Sequence, residues 1–336
     1  MATVFLNGAF VERHDARVSA FDAGLQHGVG LFETMLGVRD GERVRVLHLA
    51  EHLSRLSASA RDLGLSDSLR LGALTEAVQR TADREAASAP QVPRLRLRLT
   101  ITGGDLNLLG RTGGGEPRAQ QPTLMIVGQP ATEYPREMFD QGVLVTLADL
   151  RVSPFESTQG HKTLNYWTRL RELQGAAAKR AGEALVFGVT NHLVGGCVSN
   201  VFVVKAGALI TPIARGEEQE VAAEVDAARA GAESSAEVVP THGSVRGVLP
   251  SPVLPGIVRR WVMDWALAES VACRRRMLTL EDVLGAEEMF LTNSSWGVLP
   301  VTRVEAERIG IGAPGQITKN LLSGWTRLIQ PAGERE

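Results

Sequence analysis

Only four of the 36 basic residues are lysines, namely Lys162, Lys179, Lys205 and Lys319; the other 32 are arginines. Codon bias accounts for the composition as such. It still narrows a search for chemistry. Arginine keeps its proton at any accessible pH, whereas a lysine amine can lose its proton and act as a nucleophile. Lys162 stands in His161-Lys162-Thr163-Leu164-Asn165-Tyr166, which reads as the opening of a helix. Three further patterns flank it in chain order. Asp22-Ala23-Gly24-Leu25-Gln26-His27-Gly28-Val29-Gly30 supplies tight backbone before Leu31-Phe32-Glu33-Thr34. His52-Leu53-Ser54-Arg55-Leu56 puts an arginine on a helix. Val198-Ser199-Asn200-Val201-Phe202 is followed by Thr211-Pro212, and then by Leu254-Pro255-Gly256-Ile257-Val258-Arg259. Each pattern alone is weak: an H-x-x-R-L is usually a solvated helix face, and Pro-Gly is ordinary loop punctuation.

The elements that must position these residues follow from periodicity. Val4-Phe5-Leu6, Asn7-Gly8 and Ala9-Phe10-Val11 read as a hairpin. Phe32–Val38 is a strand. Leu49–Leu63 has leucine and alanine at helical spacing, and Leu69–Arg84 is a second helix. Arg94–Thr102 alternates, with Leu95, Leu97, Leu99 and Ile101 on one face and Arg94, Arg96, Arg98 and Thr100 on the other. Thr123–Val127 is a strand, and Gly128-Gln129-Pro130 reads as a linker. Beyond it come strands at Val143–Leu147, Ala184–Val189, Val201–Val204, Val271–Met277 and Glu288–Thr292. Helices are expected at Leu164–Ala181, Ile257–Glu269 and Ile317–Leu328. Residues 215–246 are rich in Glu and Ala and read as a surface helix or insertion. The expected organisation is an α/β chain with a small N-terminal domain, 1–127, and a larger C-terminal domain, 131–336.

The chain has 336 residues, 44% hydrophobic, and a net charge of −2, so it can bury large cores and offers no basic surface for nucleic acid. Cys197 and Cys273 are too few for a disulfide framework or a cysteine zinc site, and no metal is expected. Neither a membrane span nor a leader is visible, which gives a cytoplasmic expectation.

Taken together and in order, the four patterns resemble the class IV aminotransferase family. These are the fold-type IV pyridoxal-phosphate (PLP) enzymes, which include branched-chain and D-amino acid aminotransferases and 4-amino-4-deoxychorismate lyases. The resemblance spans about Val4 to Leu328, interrupted by 215–246. It implies a mixed α/β two-domain fold with the cofactor between the domains, and a homodimer. It implies that Lys162 is the Schiff-base lysine and that Arg55, the backbone of Ile257 and Val258, and Ser294 hold the cofactor phosphate. Asn200 would stand close to the cofactor ring. Phe32 and Glu33 would line the substrate cavity. The activity implied is transfer of an amino group between a small amino acid, branched-chain ones among the candidates, and a 2-oxo acid.

The chain also departs from the family pattern. Five residues before the asparagine the family carries a glutamate that bonds the pyridine nitrogen, and here Gly195 stands there. Three explanations compete: another group or water serves the nitrogen, the reaction needs less electron withdrawal, or catalysis is lost in a PLP-binding homologue. The Arg-x-His pair of the D-amino acid enzymes is absent after Gly103-Gly104, leaving Arg111 as a candidate carboxylate grip. Gly110-Arg111 only faintly suggests the lyase alternative, because lyases tend to carry the reverse order.

Overall fold

The computed structural model describes residues 3–105, 122–232 and 249–331. Six strands form the first sheet: β1 (Thr3–Leu6), β2 (Ala9–Val11), β3 (Gly30–Asp40), β4 (Arg43–Val46), β5 (Arg94–Thr102) and β6 (Leu124–Pro130). Their order is β2-β1-β6-β5-β3-β4, antiparallel throughout. The short α1 (Ala23–His27) precedes β3, and α2 (Leu49–Asp62) and α3 (Leu71–Ser88) cover one face. The alternation in β5 decides which face. Leu95, Leu97, Leu99 and Ile101 are buried in one cluster with Leu53, Leu56 and Ala60 of α2 and Leu74, Val78 and Ala82 of α3. Burying each leucine stabilises the fold by about 1.5–3 kcal/mol. Arg96 and Arg98, on the other face, are therefore turned away from the helices.

The second sheet has nine strands: β7 (Val143–Val152), β8 (Glu183–Gly188), β9 (Leu193–Gly196), β10 (Asn200–Lys205), β11 (Ala208–Thr211), β12 (Cys273–Arg275), β13 (Glu288–Asn293), β14 (Gly297–Val304) and β15 (Glu307–Arg308). The path is β12-β11-β10-β13-β14-β7-β8-β9, with β15 on β14. Helices α4 (Glu137–Asp140), α5 (Trp167–Ala178), α6 (Glu218–Ala232), α7 (Ile257–Ala268), α8 (Leu280–Leu284) and α9 (Gln316–Leu328) complete the described elements. Phe202 of β10 stacks on Phe290 of β13 at 5.1 Å beneath α7 and α9.

Several expectations need correction. Gly128-Gln129-Pro130 is the end of β6, paired with Leu97, Arg96 and Leu95, so the crossing to the second sheet comes after it. The helix expected from Leu164 starts at Trp167, because Lys162 to Leu164 run along β3 instead. Phe32 N–H donates to Lys162 O at 2.9 Å and Leu164 N–H to Gly30 O at 3.0 Å. β14 is a central strand despite Pro300. Its pairing with β7 begins only at Val301, so the missing N–H falls beyond that ladder.

A buried carboxylate ties the end of β5 to the residue before β6. Asp22 caps α1 by accepting from Gly24 N–H at 2.7 Å, and it also accepts from Thr102 Oγ1 at 2.7 Å and Thr123 Oγ1 at 2.6 Å. Gly28 ends α1 in the left-handed region, φ 69°, which glycine adopts freely.

Candidate functional site

A cavity of about 800 Å3 lies between the two sheets. The first contributes Phe32 and Thr34 from β3 and Arg96 and Arg98 from β5. The second contributes Gly195 and Gly196 of β9, Asn200 of β10 and Thr292 of β13. Arg55 reaches the cavity from α2. The segment Gly160–Thr163 and the N-terminus of α7 close further sides.

Lys162 is held by its backbone pairing to β3, which leaves the side chain free to enter the cavity. Its Nζ lies 4.3 Å from the Phe32 ring centre and 5.6 Å from that of Tyr166, and the two rings meet edge to face at 5.3 Å. Arg98 Cζ is 3.8 Å from the Phe32 ring centre. Phe32 thus presents its ring to two cations at once, a favourable use of an aromatic face.

At one end the cavity forms an anion cup. Arg55 Nε donates to Glu33 Oε1 at 2.9 Å, Nη2 to Glu33 Oε2 at 2.6 Å, and Nη1 to Pro255 O at 2.9 Å. Three of its five N–H groups are thereby fixed, and the rest of the guanidinium edge lines the cavity. Glu33 is buried and is not among the lining residues, which corrects its expected place in the substrate pocket. On its other side Glu33 Oε2 lies 2.7 Å from His52 Nδ1, and His52 is itself buried. Burial would raise the Glu33 pKa, but the Arg55 guanidinium and His52 outweigh it and hold the carboxyl at about 2. The carboxylate therefore accepts, and His52 donates from Nδ1. Burial, the largest influence, pushes the His52 imidazole below its ordinary value, and Arg55 and His48 add to this against the pull of Glu33.

Gly256 precedes α7 without a side-chain cap, leaving the first N–H groups of the helix, at Ile257 and Val258, directed at the cavity. A Cβ at Gly256 would run into the Asn200 carboxamide oxygen. Asn200 Nδ2 donates to Leu254 O at 2.8 Å, so Asn200 sets the turn that aims α7. Ser294 completes the cup, its Oγ 3.4 Å from His52 Nε2. Asn293 fixes this turn by accepting from the N–H groups of Ser295 and Trp296 at 2.9 and 3.0 Å.

The donors suit a phosphate ester: a guanidinium edge, helix N-terminal amides and a hydroxyl. Thr292 Oγ1, on a cavity-lining residue, is buried without a partner, another polar group left for an occupant. The fit is poorer where a pyridine nitrogen would look for an acid. The nearest candidate in sequence, Glu183, is buried behind Gly196. It accepts from the N–H groups of Ala184, Cys197 and Val198 and from Ser199 Oγ, and it does not line the cavity. Glu156 is the one carboxylate among the described lining residues, and it stands exposed, bonded to Thr158 and Gln159. Burial, with Glu183 next, pushes the Cys197 thiol up to about 12, so it is no nucleophile at neutral pH.

The structure thus gathers Phe32, Arg55, Lys162, Asn200, Ile257, Val258 and Ser294 around one cavity. Arg111 lies outside the described residues. Sequence reasoning missed Arg96, Arg98, Tyr134 and Tyr166. The signal for the arginines was present in the polar face of β5, which reads equally well as a solvated strand face. Burial, with Arg96 next, pushes the Arg98 pKa down, and neither arginine has a carboxylate partner among the described residues.

The model of the class IV amino-transferases matches residues 30–217 and 244–304. A Methanocaldococcus jannaschii protein assigned as a branched-chain-amino-acid aminotransferase is 28% identical over 322 residues, covering 95% of this chain and 93% of its own. D-alanine aminotransferase of Staphylococcus epidermidis is 25% identical over 338 residues, 98% of this chain and 99% of its own. Among solved structures, Escherichia coli branched-chain amino acid aminotransferase superposes with a TM-score of 0.77 at 23% identity, over 99% of this chain and 96% of that one. Pseudomonas aeruginosa 4-amino-4-deoxychorismate lyase gives 0.69 at 24%, over 96% and 97%.

Proposed function

We propose a function that starts from the family to which this chain belongs, the class IV aminotransferases: transfer of an amino group between a small amino acid and a 2-oxo acid, with PLP held in the cavity between the sheets. The observation that carries this is the placement of the Lys162 amine against Phe32 in the same cavity as the Arg55–Ser294–α7 anion cup. PLP, when bound, supplies an aldehyde and an electron-withdrawing ring. Arg55, Ser294 and the amides of Ile257 and Val258 hold its phosphate. Lys162 is the residue placed to engage the aldehyde and to carry a proton to and from the substrate α-carbon. Arg96 and Arg98 offer their guanidinium groups to substrate carboxylate, and Phe32 and Tyr166 shape the apolar wall.

The relatives support branched-chain amino acids and D-alanine as the first donors to assay. Gly195 favours one second reading, a lyase of the same family whose reaction asks less of the ring. A homodimer belongs to the same proposal, supported by exposed apolar side chains next to the lining residues: Phe155 is 76% and Trp167 77% exposed. So does a cytoplasmic location, supported by two free cysteines, Cys197 and Cys273. Among the described residues no helix is long and apolar enough to cross a membrane. The test is borohydride reduction after incubation with PLP, followed by peptide mass analysis, then donor panels with 2-oxoglutarate. Cofactor fixed on Lys162 with amino transfer is expected. Lyase products without amino transfer would replace the main reading by the second. No fixation at Lys162 would end both.

A further inference from the structure

The anion cup contains a chain of three groups, Glu33, His52 and Ser294, of which the proposed activity uses only Ser294. Glu33 Oε2, His52 Nδ1, His52 Nε2 and Ser294 Oγ follow one another at 2.7 Å and 3.4 Å across the ring. Glu33 accepts the Nδ1 proton, so a neutral His52 presents a bare Nε2, and the only proton between His52 and Ser294 is the serine's own. In that state the hydroxyl donates inward to His52 and turns its lone pairs towards the cup. An anion arriving there meets oxygen lone pairs instead of a donor.

A proton on Nε2 reverses the arrangement. Nε2–H then donates to Ser294 Oγ, and the serine proton is released to point at the anion. The charge count favours this change on filling. Glu33 and Arg55 neutralise one another, so beyond the α7 amides a doubly charged anion gains further attraction from an added positive charge, and a nearby negative charge favours the protonated imidazole. The titratable and charged groups facing His52 are Glu33 from β3, Arg55 from α2 and His48 immediately before α2. Ser294 reaches it from the turn after β13, and His48 itself faces Glu51 at 3.8 Å.

We infer that His52 is a positioning residue for the cup: binding of a dianion is accompanied by uptake of one proton from solvent at His52 Nε2, and Ser294 reverses its hydrogen bond to donate to the anion. The inference rests on the cup being the phosphate site of the proposed function.

Sulfate is the probe, because it stays a dianion between about pH 5 and 8, the range in which histidine titrates, and brings no proton of its own. Calorimetric titration of the full chain in buffers of different ionisation heat counts the protons taken up. Uptake approaching one proton is expected, with sulfate affinity rising up to about tenfold per unit fall in pH. His48→Gln keeps this dependence. His52→Gln abolishes it, and Ser294→Ala, at a partly exposed position that tolerates the change, weakens sulfate binding. Independently of any variant, 15N spectra of histidine-labelled wild type should show one imidazole Nε2 passing from acceptor to protonated donor as sulfate is added. Sulfate binding with no proton uptake, or uptake traced to His48 or His161, overturns the inference and leaves Lys162 chemistry standing. Proton-linked sulfate binding without cofactor fixation at Lys162 would uphold the cup and remove the aminotransferase reading.

Discussion

The two ends of the cavity are built on opposite plans. At the cup, charges are matched and layered: Arg55 is held by two bonds to Glu33, Glu33 also accepts from His52, and Asn200 and Asn293 lock the turns that present α7 and Ser294. At the other end Arg96 and Arg98 stand without a carboxylate partner among the described residues, Arg98 resting on the Phe32 ring. The contrast suits a site whose one ligand group never changes and whose other varies. A constant phosphate rewards donors fixed in advance by a supporting shell. A substrate acid that comes and goes rewards cations that no carboxylate holds, Arg96 being bonded only to the Gln129 amide oxygen.

The largest break in this comparison should come from the residue between the ends. Lys162→Ala is expected to lower amino transfer by at least about 10²–10⁴-fold, the span of a lost general acid–base group, with an unchanged circular dichroism melt. Next is the matched end. Glu33→Ala strands a buried guanidinium beside an unsupported imidazole and should cost about 3–5 kcal/mol in urea unfolding, as for a broken buried pair. The same carboxylate sets acid sensitivity. Its folded pKa of about 2 lies below the ordinary 4.5, so its contribution is present above that ordinary value and is lost as pH falls towards 2. The lowered His52 acts in the same direction, favouring the fold above its ordinary value. Equilibrium unfolding between pH 5 and 2 should show the loss in wild type and a shallower one in Glu33→Ala.

At the open end, Arg98→Leu should raise KM for the 2-oxo acid by roughly 10–100-fold, the worth of a charge-assisted hydrogen bond, while stability changes little. A large loss of stability there, with KM unchanged, would make Arg98 part of the scaffold and erase the contrast. The smallest effect is expected at Gly195. A Cβ there meets Ser199 O at 2.8 Å, a backbone atom with little room to give. Gly195→Ala should therefore cost about 1–3 kcal/mol, as overpacking does, and Gly195→Glu should cost stability without restoring a ring-nitrogen partner. A faster, equally stable Gly195→Glu would show that the backbone accommodates the family's glutamate.

Much of this was legible beforehand. The alternation of β5, the 3–4 spacing of α2 and the glycine-rich approach to β3 report burial directly, because side-chain direction there follows from sequence position. Arg55, Lys162 and Asn200, each in a local pattern, and Ser294, named through the family resemblance, all line the one cavity. Glu33 was misplaced because its role depends on α2, whose packing brings Arg55 and His52 onto it from some twenty residues away. The open arginines were passed over because a polar strand face looks the same whether it borders solvent or a cavity. β14 lies beyond the strands expected from the sequence, and Pro300 fits it because the ladder with β7 begins at Val301.

The Asp22 staple bears on how such a site can change. Thr102 and Thr123, the feet of the segment between β5 and β6, are bonded to the same carboxylate. The ends of that segment are therefore fixed by the scaffold, whatever joins them. A change in the chain between Thr102 and Thr123 therefore leaves both threonines held to one carboxylate. Descendants of this sequence can therefore vary elsewhere while β3, β5 and the Lys162 backbone keep their mutual register, because that register rests on pairing inside the scaffold.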